Sequence, residues 1–276
     1  MDPGLRRDDT LYMSLHFAAV VPHSPLLHKV IGKKAVGDFD DTLKSLKKVK
    51  KELYIAQLDT LFILSPHGPQ RAHSFTISGH PELHIDLKSF GDLITEGTFK
   101  VDTHVVSNIR EAGKKEEVPF MIDGSGECDY AAAIPLLQFK DSMKHTKIII
   151  IRSSQLNARA HIDCGYILKG IAMQSNKRMG VLASADLSHA LTTSSPAGFN
   201  KSAEKFDKKI QEIIEDANLE DLMNMKQKFV DSAATCSYGP LLMLFGMLNR
   251  VKTKTKVLSY EAPHGVGHIT TLFKFH

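Results

Sequence analysis

The chain has 276 residues, 42% apolar and 24% charged, enough to bury a sizeable core within one large α/β domain. Its formal charge of +4, from 35 basic and 31 acidic residues, is spread out, and the densest run, "KSLKKVKKEL", carries leucines and a valine at helical spacing, so it reads as a solvated helix face rather than a nucleic-acid footprint. Three cysteines without a C-x-x-C pair argue against a disulfide framework, and no apolar run reaches the ~20 residues of a membrane span; the expected setting is soluble and cytoplasmic, with no nucleic-acid or membrane partner.

Residues 1–14, including "MDPGLRRDDTLYM", lack the apolar core of a signal peptide and read as a loose lead-in to a domain covering 15–276. Strand-like "LHFAAVV" opens that domain and a helix is predicted from Asp38 to Gln57. "TLFILS" is the next strand, and "HSFTISGHPELHIDLKSFG" alternates as an antiparallel hairpin at a sheet edge would. A helix follows Val101, then come "VPFMI", a helix from Ala131 to Asp141, "KIIIIRSS", a helix from Ala158 to Ser175, and "MGVLASA". Helices are predicted over Lys201 to Asp216, Leu219 to Ala233 and Ser237 to Asn249, before the final runs "TKVLSYE" and "HITTLFKF". Most strands are apolar without alternation, the pattern of strands buried on both faces. The fold class is therefore α/β, a single domain with a central mixed, largely parallel sheet and helices on both faces.

Ligands of open α/β sheets gather beyond the carboxyl ends of the strands, and there this sequence puts its polar groups. His23 ends the first strand and His67 the second, each between two prolines: Pro22 and Pro25, Pro66 and Pro69. Proline fixes φ and stiffens the loop that aims each ring. Asp186 and His189 follow "VLASA"; Glu261 and His264 follow "VLSY". A lone histidine after a strand commonly caps or faces solvent; four strand ends carrying such groups together point to a site.

In order and spacing, "VVPHSPLL", "ILSPHGP", "SADLSHAL" and "LSYEAPHGVGHI" resemble the motifs of the class III extradiol ring-cleavage dioxygenase superfamily, the group of the protocatechuate 4,5-dioxygenase β-subunit, in its single-domain branch related to the Memo-like proteins. The resemblance runs from about Leu15 to Phe275. It implies metal ligation by His23, His67 and Glu261, a set of two imidazoles and a carboxylate that suits non-haem Fe(II), with Zn, Mn or Cu as alternative occupants. It further implies an oxidoreductase that opens a catechol-like aromatic with O₂ in aromatic compound catabolism, His189 carrying protons. Partners are then the small aromatic and O₂, with a homodimer left open.

One position departs from the pattern. Where relatives have Asp-His-Gly before a helix, "ECDYAAAIPLL" has Tyr130, a hydrogen-bond donor but a poor base at neutral pH; it is counted with His189 as a candidate catalytic residue. The alternative is a Memo-like metal-binding or redox protein without ring cleavage, with His23, His67, His189 and Cys236 around an ion for which a thiolate favours copper or zinc. Glu261 favours the dioxygenase pattern. His264 is a candidate pocket residue, His268 a structural one, and Asp186 a support for the "DLSH" turn.

Overall fold

The computed structural model describes residues 14–276, so the predicted lead-in, apart from Ser14, lies outside the described residues. In chain order the strands are β1 (Leu15–Val21), β2 (Thr60–Ser65), β3 (Phe75–Ser78), β4 (Glu82–Ile85), β5 (Thr98–Lys100), β6 (Phe120–Asp123), β7 (Glu127–Cys128), β8 (Lys147–Arg152), β9 (Met179–Ser184), β10 (Thr253–Glu261) and β11 (His268–Phe275). The helices are α1 (Lys29–Gly32), α2 (Asp40–Ala56), α3 (Thr103–Lys115), α4 (Tyr130–Phe139), α5 (Ala158–Met173), α6 (Ala203–Asp216), α7 (Leu219–Met223), α8 (Gln227–Ser232) and α9 (Tyr238–Leu248).

β2 and β9 are buried at every residue and β1 and β8 at all but one, as their unbroken apolar runs require. These four form the parallel centre of an eight-stranded sheet of order β10-β11-β1-β9-β2-β8-β3-β6. β11 runs antiparallel to β1 and β10, and β3 antiparallel to β8, so the sheet is mixed and mostly parallel. α2 lays Leu46, Val49 and Leu53 on β1, β10 and β11, while α9 packs on α5 and covers β9 and β2. Among the described residues no helix is long and apolar enough to cross a membrane.

Two sequence expectations are corrected. The predicted hairpin is absent: β3 pairs with β8 on one side and β6 on the other, which leaves no edge for β4, and β4 instead centres a small sheet of order β5-β4-β7. The single helix predicted from Leu219 to Ala233 is two, α7 and α8, because Lys226 adopts an extended conformation (ψ 127°) between them.

The sheet order matters most for the site. The carboxyl ends of β1, β9 and β2 lie side by side, within about two strand spacings, or ~10 Å. The end of β10 is four spacings from that of β2, about 19 Å.

Candidate metal centre

His23 leaves β1 through Pro22 and is almost fully buried. Its Nδ1 lies 2.9 Å from Ser184 Oγ, and that hydroxyl spends its own proton on Ala131 O at 2.6 Å. Ser184 therefore accepts from His23 Nδ1–H, which assigns the tautomer and leaves the Nε2 lone pair free. Nε2 faces Cys236 Sγ at 3.4 Å. Asp186, just beyond β9, anchors this corner: its Oδ1 accepts from the His23 backbone N–H at 3.1 Å and from His268 Nδ1 at 3.1 Å. Its other oxygen is 3.6 Å from His23 Nε2.

His67 leaves β2 through Pro66, and its ring sits edge-on to His23 with centroids 5.2 Å apart. Tyr130 stacks on His67 at 4.7 Å and 22° and also sits edge-on to His23 at 5.7 Å. One donor atom each from His23, His67 and Cys236 lies within 4.8 Å of the others. Ligands about 2.0–2.3 Å from a tetrahedral ion stand about 3.3–3.8 Å apart, so the His23–Cys236 separation matches a shared ion. This donor set, one buried nitrogen held as a free lone pair beside a thiol and a second imidazole, fits a metal.

The field of the site agrees. Burial, with the neighbouring His67, His189 and His268 and against the pull of Asp186, lowers His23 to about 4; it stays neutral at physiological pH, as a ligand must. Burial lowers His67 as well. For Asp186 burial acts upward, but the histidines His23 and His268 outweigh it and hold the carboxyl well below the usual range. Burial pushes the Cys236 thiol well up, so a cation is what would draw off its proton.

Behind the histidines lies a second network. Arg152, fully buried at the end of β8, bonds Asp129 Oδ2 through Nε at 3.0 Å, Asp123 Oδ2 through Nη1 at 3.2 Å and Glu127 O through Nη2 at 3.2 Å. Asp129 Oδ1 accepts from Ser65 Oγ at 2.6 Å and from Ala132 N–H at 3.1 Å, capping the helix that begins with Tyr130. Ser65 Oγ in turn accepts from His67 N–H at 3.3 Å. Gly68 has φ +88°, and a Cβ there would lie 2.4 Å from Arg152 Nε; the glycine of "SPHGP" is needed both for its backbone and for that approach.

The predicted residues thus divide. His23 and His67 come together, with Asp186 beside them. His189 is near enough to bear electrostatically on both imidazoles; its backbone N–H donates to Ala233 O at 3.0 Å and its Nδ1 is buried without a partner. Tyr130 reaches the site through the His67 stack, and burial keeps its hydroxyl protonated by raising it far above the ordinary phenol.

Glu261 is a correction: it is not brought to the two imidazoles. Its Oε1 accepts the Thr42 backbone N–H at 2.7 Å, in the first turn of α2, where a carboxylate satisfies an orphan amide and favours the helix dipole. Cys236 occupies the place by His23 instead. His264 is also elsewhere, exposed and paired with Asp38 at 3.0 Å, while His268, expected to be structural, is the imidazole on Asp186. Ser184, Arg152 and Asp129 were not singled out from sequence. Arg152 had a signal, a cation closing the apolar run "KIIIIR"; Ser184 had none.

The family model described as the catalytic LigB subunit of aromatic ring-opening dioxygenase matches residues 17–273. The chain belongs to this family. Among proteins similar to this LigB-family chain is Protein CA_C1420 of Clostridium acetobutylicum, 26% identical over 265 residues; the match takes in 93% of this chain and 57% of that protein, so the chain spans little more than half the length of that relative. The uncharacterized protein JW3007 of Escherichia coli K12 is similar in fold, with a TM-score of 0.64 at 15% identity over 94% of this chain and 99% of that one.

Proposed function

We propose that this LigB-family protein is a metal-dependent redox protein whose ion is held by His23 Nε2, an imidazole nitrogen of His67 and Cys236 Sγ. The observation that supports the reading is the Cys236 sulfur 3.4 Å from a lone pair that Ser184 keeps free, together with the commitment of Glu261 to α2. Two imidazoles and a thiolate suit copper or zinc ahead of the Fe(II) that a carboxylate set would take; of the two, only copper would serve a redox role, zinc having none. A bound redox-active ion supplies one-electron chemistry. The chain's own groups do the rest: Asp186 fixes the His23 backbone, Tyr130 packs on His67 and offers an O–H donor, and His189 presents an imidazole that can hold or pass a proton.

Loading the metal-free protein with Co(II) tests this. A thiolate ligand gives an intense near-ultraviolet charge-transfer band, expected in the native chain and lost in Cys236→Ala; a spectrum from nitrogen and oxygen donors alone contradicts the reading. Extradiol cleavage of a catechol-like aromatic is the second reading, supported by the family match over residues 17–273. O₂ uptake by Fe(II)-loaded Cys236→Ala across a panel of catechols would favour it; metal loss in that variant would not.

A further inference from the structure

A cleft of about 710 Å³ runs beside α2 and is closed on its other side by the end of α4 and by residues 94–96. Its floor is aliphatic: Leu27 and Leu46 are buried, Leu43 and Leu137 half-buried. Four lysines, Lys29, Lys47, Lys50 and Lys140, line it against a single carboxylate, Glu96. Among the described residues only Lys50 of the four is ion-paired, with Asp141 at 2.9 Å. The metal centre uses none of these residues.

The two walls differ in kind. On α2, Leu43, Lys47, Lys50 and Tyr54 fall at i, i+4, i+7 and i+11, one stripe about 16 Å long, and Tyr54 at its far end is 59% exposed. The opposite wall is a pinned turn. Asp92 is buried; its Oδ1 accepts from the N–H of Ile94 at 3.1 Å and of Thr95 at 2.9 Å, and its Oδ2 lies 3.0 Å from His28 Nε2. That turn holds Ile94 in solvent, 78% exposed, at the lip of the cleft. An aliphatic side chain fixed in water beside an aliphatic floor is apolar surface left for a partner to cover.

We infer that this cleft docks an acidic amphipathic helix of another polypeptide, its apolar side on the leucines and its carboxylates against the lysine rim. Charge complementarity selects the sign of the partner, since four cations face one anion. Shape selects its form: a groove about three turns long beside a helix receives a second helix through side chains at i, i+3, i+4 and i+7. A bilayer is flat and would leave a concave floor uncovered. A nucleic-acid strand would stack its bases on aromatic side chains, and here the lysines frame leucines. Because the turn is already held by Asp92, docking has little ordering to oppose it. The inference stands apart from the metal reading.

The probe is a dye-labelled peptide about 15 residues long, with Leu at the four anchor positions and Glu elsewhere, followed by fluorescence anisotropy as the full chain is added. Saturable binding is expected, weakening as salt rises from about 0.05 to 0.5 M. Lys47→Glu and Ile94→Asp, both at exposed positions, should each weaken it at least about tenfold with Tm unchanged. Lys228→Glu, exposed on α8 and outside the cleft, makes the same change in net charge and should not. Absence of peptide binding overturns the inference, as does equal binding of a peptide with Gln in place of Glu, or a loss in Lys228→Glu as large as that in Lys47→Glu. Phosphatidylserine vesicles bound by a chain that ignores the peptide would assign the face to a membrane, and a dimer in sedimentation that Ile94→Asp breaks would assign it to a second copy; either result overturns the partner named here.

Discussion

Arg152→Met deletes the guanidinium behind the histidine loops and keeps most of the side-chain volume. Arg152 is fully buried, and its two carboxylate partners are 14% and 5% exposed at Asp123 and Asp129. Three charge-assisted hydrogen bonds disappear, but Asp123 can be partly rehydrated where it stands; the stranded charge is chiefly Asp129. Breaking a buried pair from one side costs about 3–5 kcal/mol. For a chain of this size that lowers Tm by about 2–4 °C per kcal/mol, or some 6–20 °C. Urea denaturation with the slope m held as a check on two-state behaviour gives the free energy. Adding Asp129→Asn should then recover part of the loss, since it removes the unpaired charge, so the double variant is less destabilised than the sum of the singles. A cost below about 1 kcal/mol, or strict additivity, would refute the buried network as the support of the His67 loop.

Asp207, buried and raised to about 6 against 3.8 in the unfolded chain, accepts from Tyr260 Oη at 2.7 Å and from Ser188 N–H at 2.8 Å. Because the folded state holds the proton more tightly, its contribution is full below pH 3.8 and falls by about 3 kcal/mol in all as pH rises through 6; denaturation of wild type and Asp207→Asn at pH 4 and pH 7 should show the variant gaining about 2 kcal/mol at the higher pH, the fall having begun by pH 4. Ser184→Ala removes the acceptor that fixes the His23 tautomer, and metal affinity measured by competition with a chelator should fall about 10–100-fold, while the stranded His23 Nδ1–H and Ala131 O cost about 1–3 kcal/mol of folding stability. Gly68→Ala forces a side chain to φ +88° against Arg152, and thermal unfolding should show more than about 1 kcal/mol of destabilisation; an unchanged Tm would mean that the loop moves freely.

The strands at the centre were legible because "TLFILS" and "MGVLAS" are buried on both faces and so cannot alternate. His23 and His67 were legible for a related reason: prolines on either side of a histidine at a strand end have no use in a core. Glu261 misled because a sequence tells which residue ends a strand but not which strands are neighbours. The pairing β10-β11-β1-β9-β2 is made of long-range contacts, and it sets Glu261 about 19 Å of sheet away from His67. The hairpin expectation failed on the same ground, since the partners of β3 come from β8 and β6. Cys236 lies in a turn after α8, where the positive φ of Ala234 (49°) redirects the chain; only the resemblance to the Memo-like proteins pointed to it, since the local pattern of "AATCSYG" does not tell that the thiol returns to β1. Ser184 reads as one more residue of a buried strand, and its role exists only once His23 lies across from it.

The central claim is that Cys236, and not Glu261, completes the metal site with His23 and His67. Metal stoichiometry after equilibrium dialysis, compared for wild type, Cys236→Ser and Glu261→Gln, tests it most directly. The account predicts near-wild-type stoichiometry in Glu261→Gln, whose loss is one bond to the start of α2, and severe metal loss in Cys236→Ser. Retention of the ion by Cys236→Ser together with its loss from Glu261→Gln would contradict it.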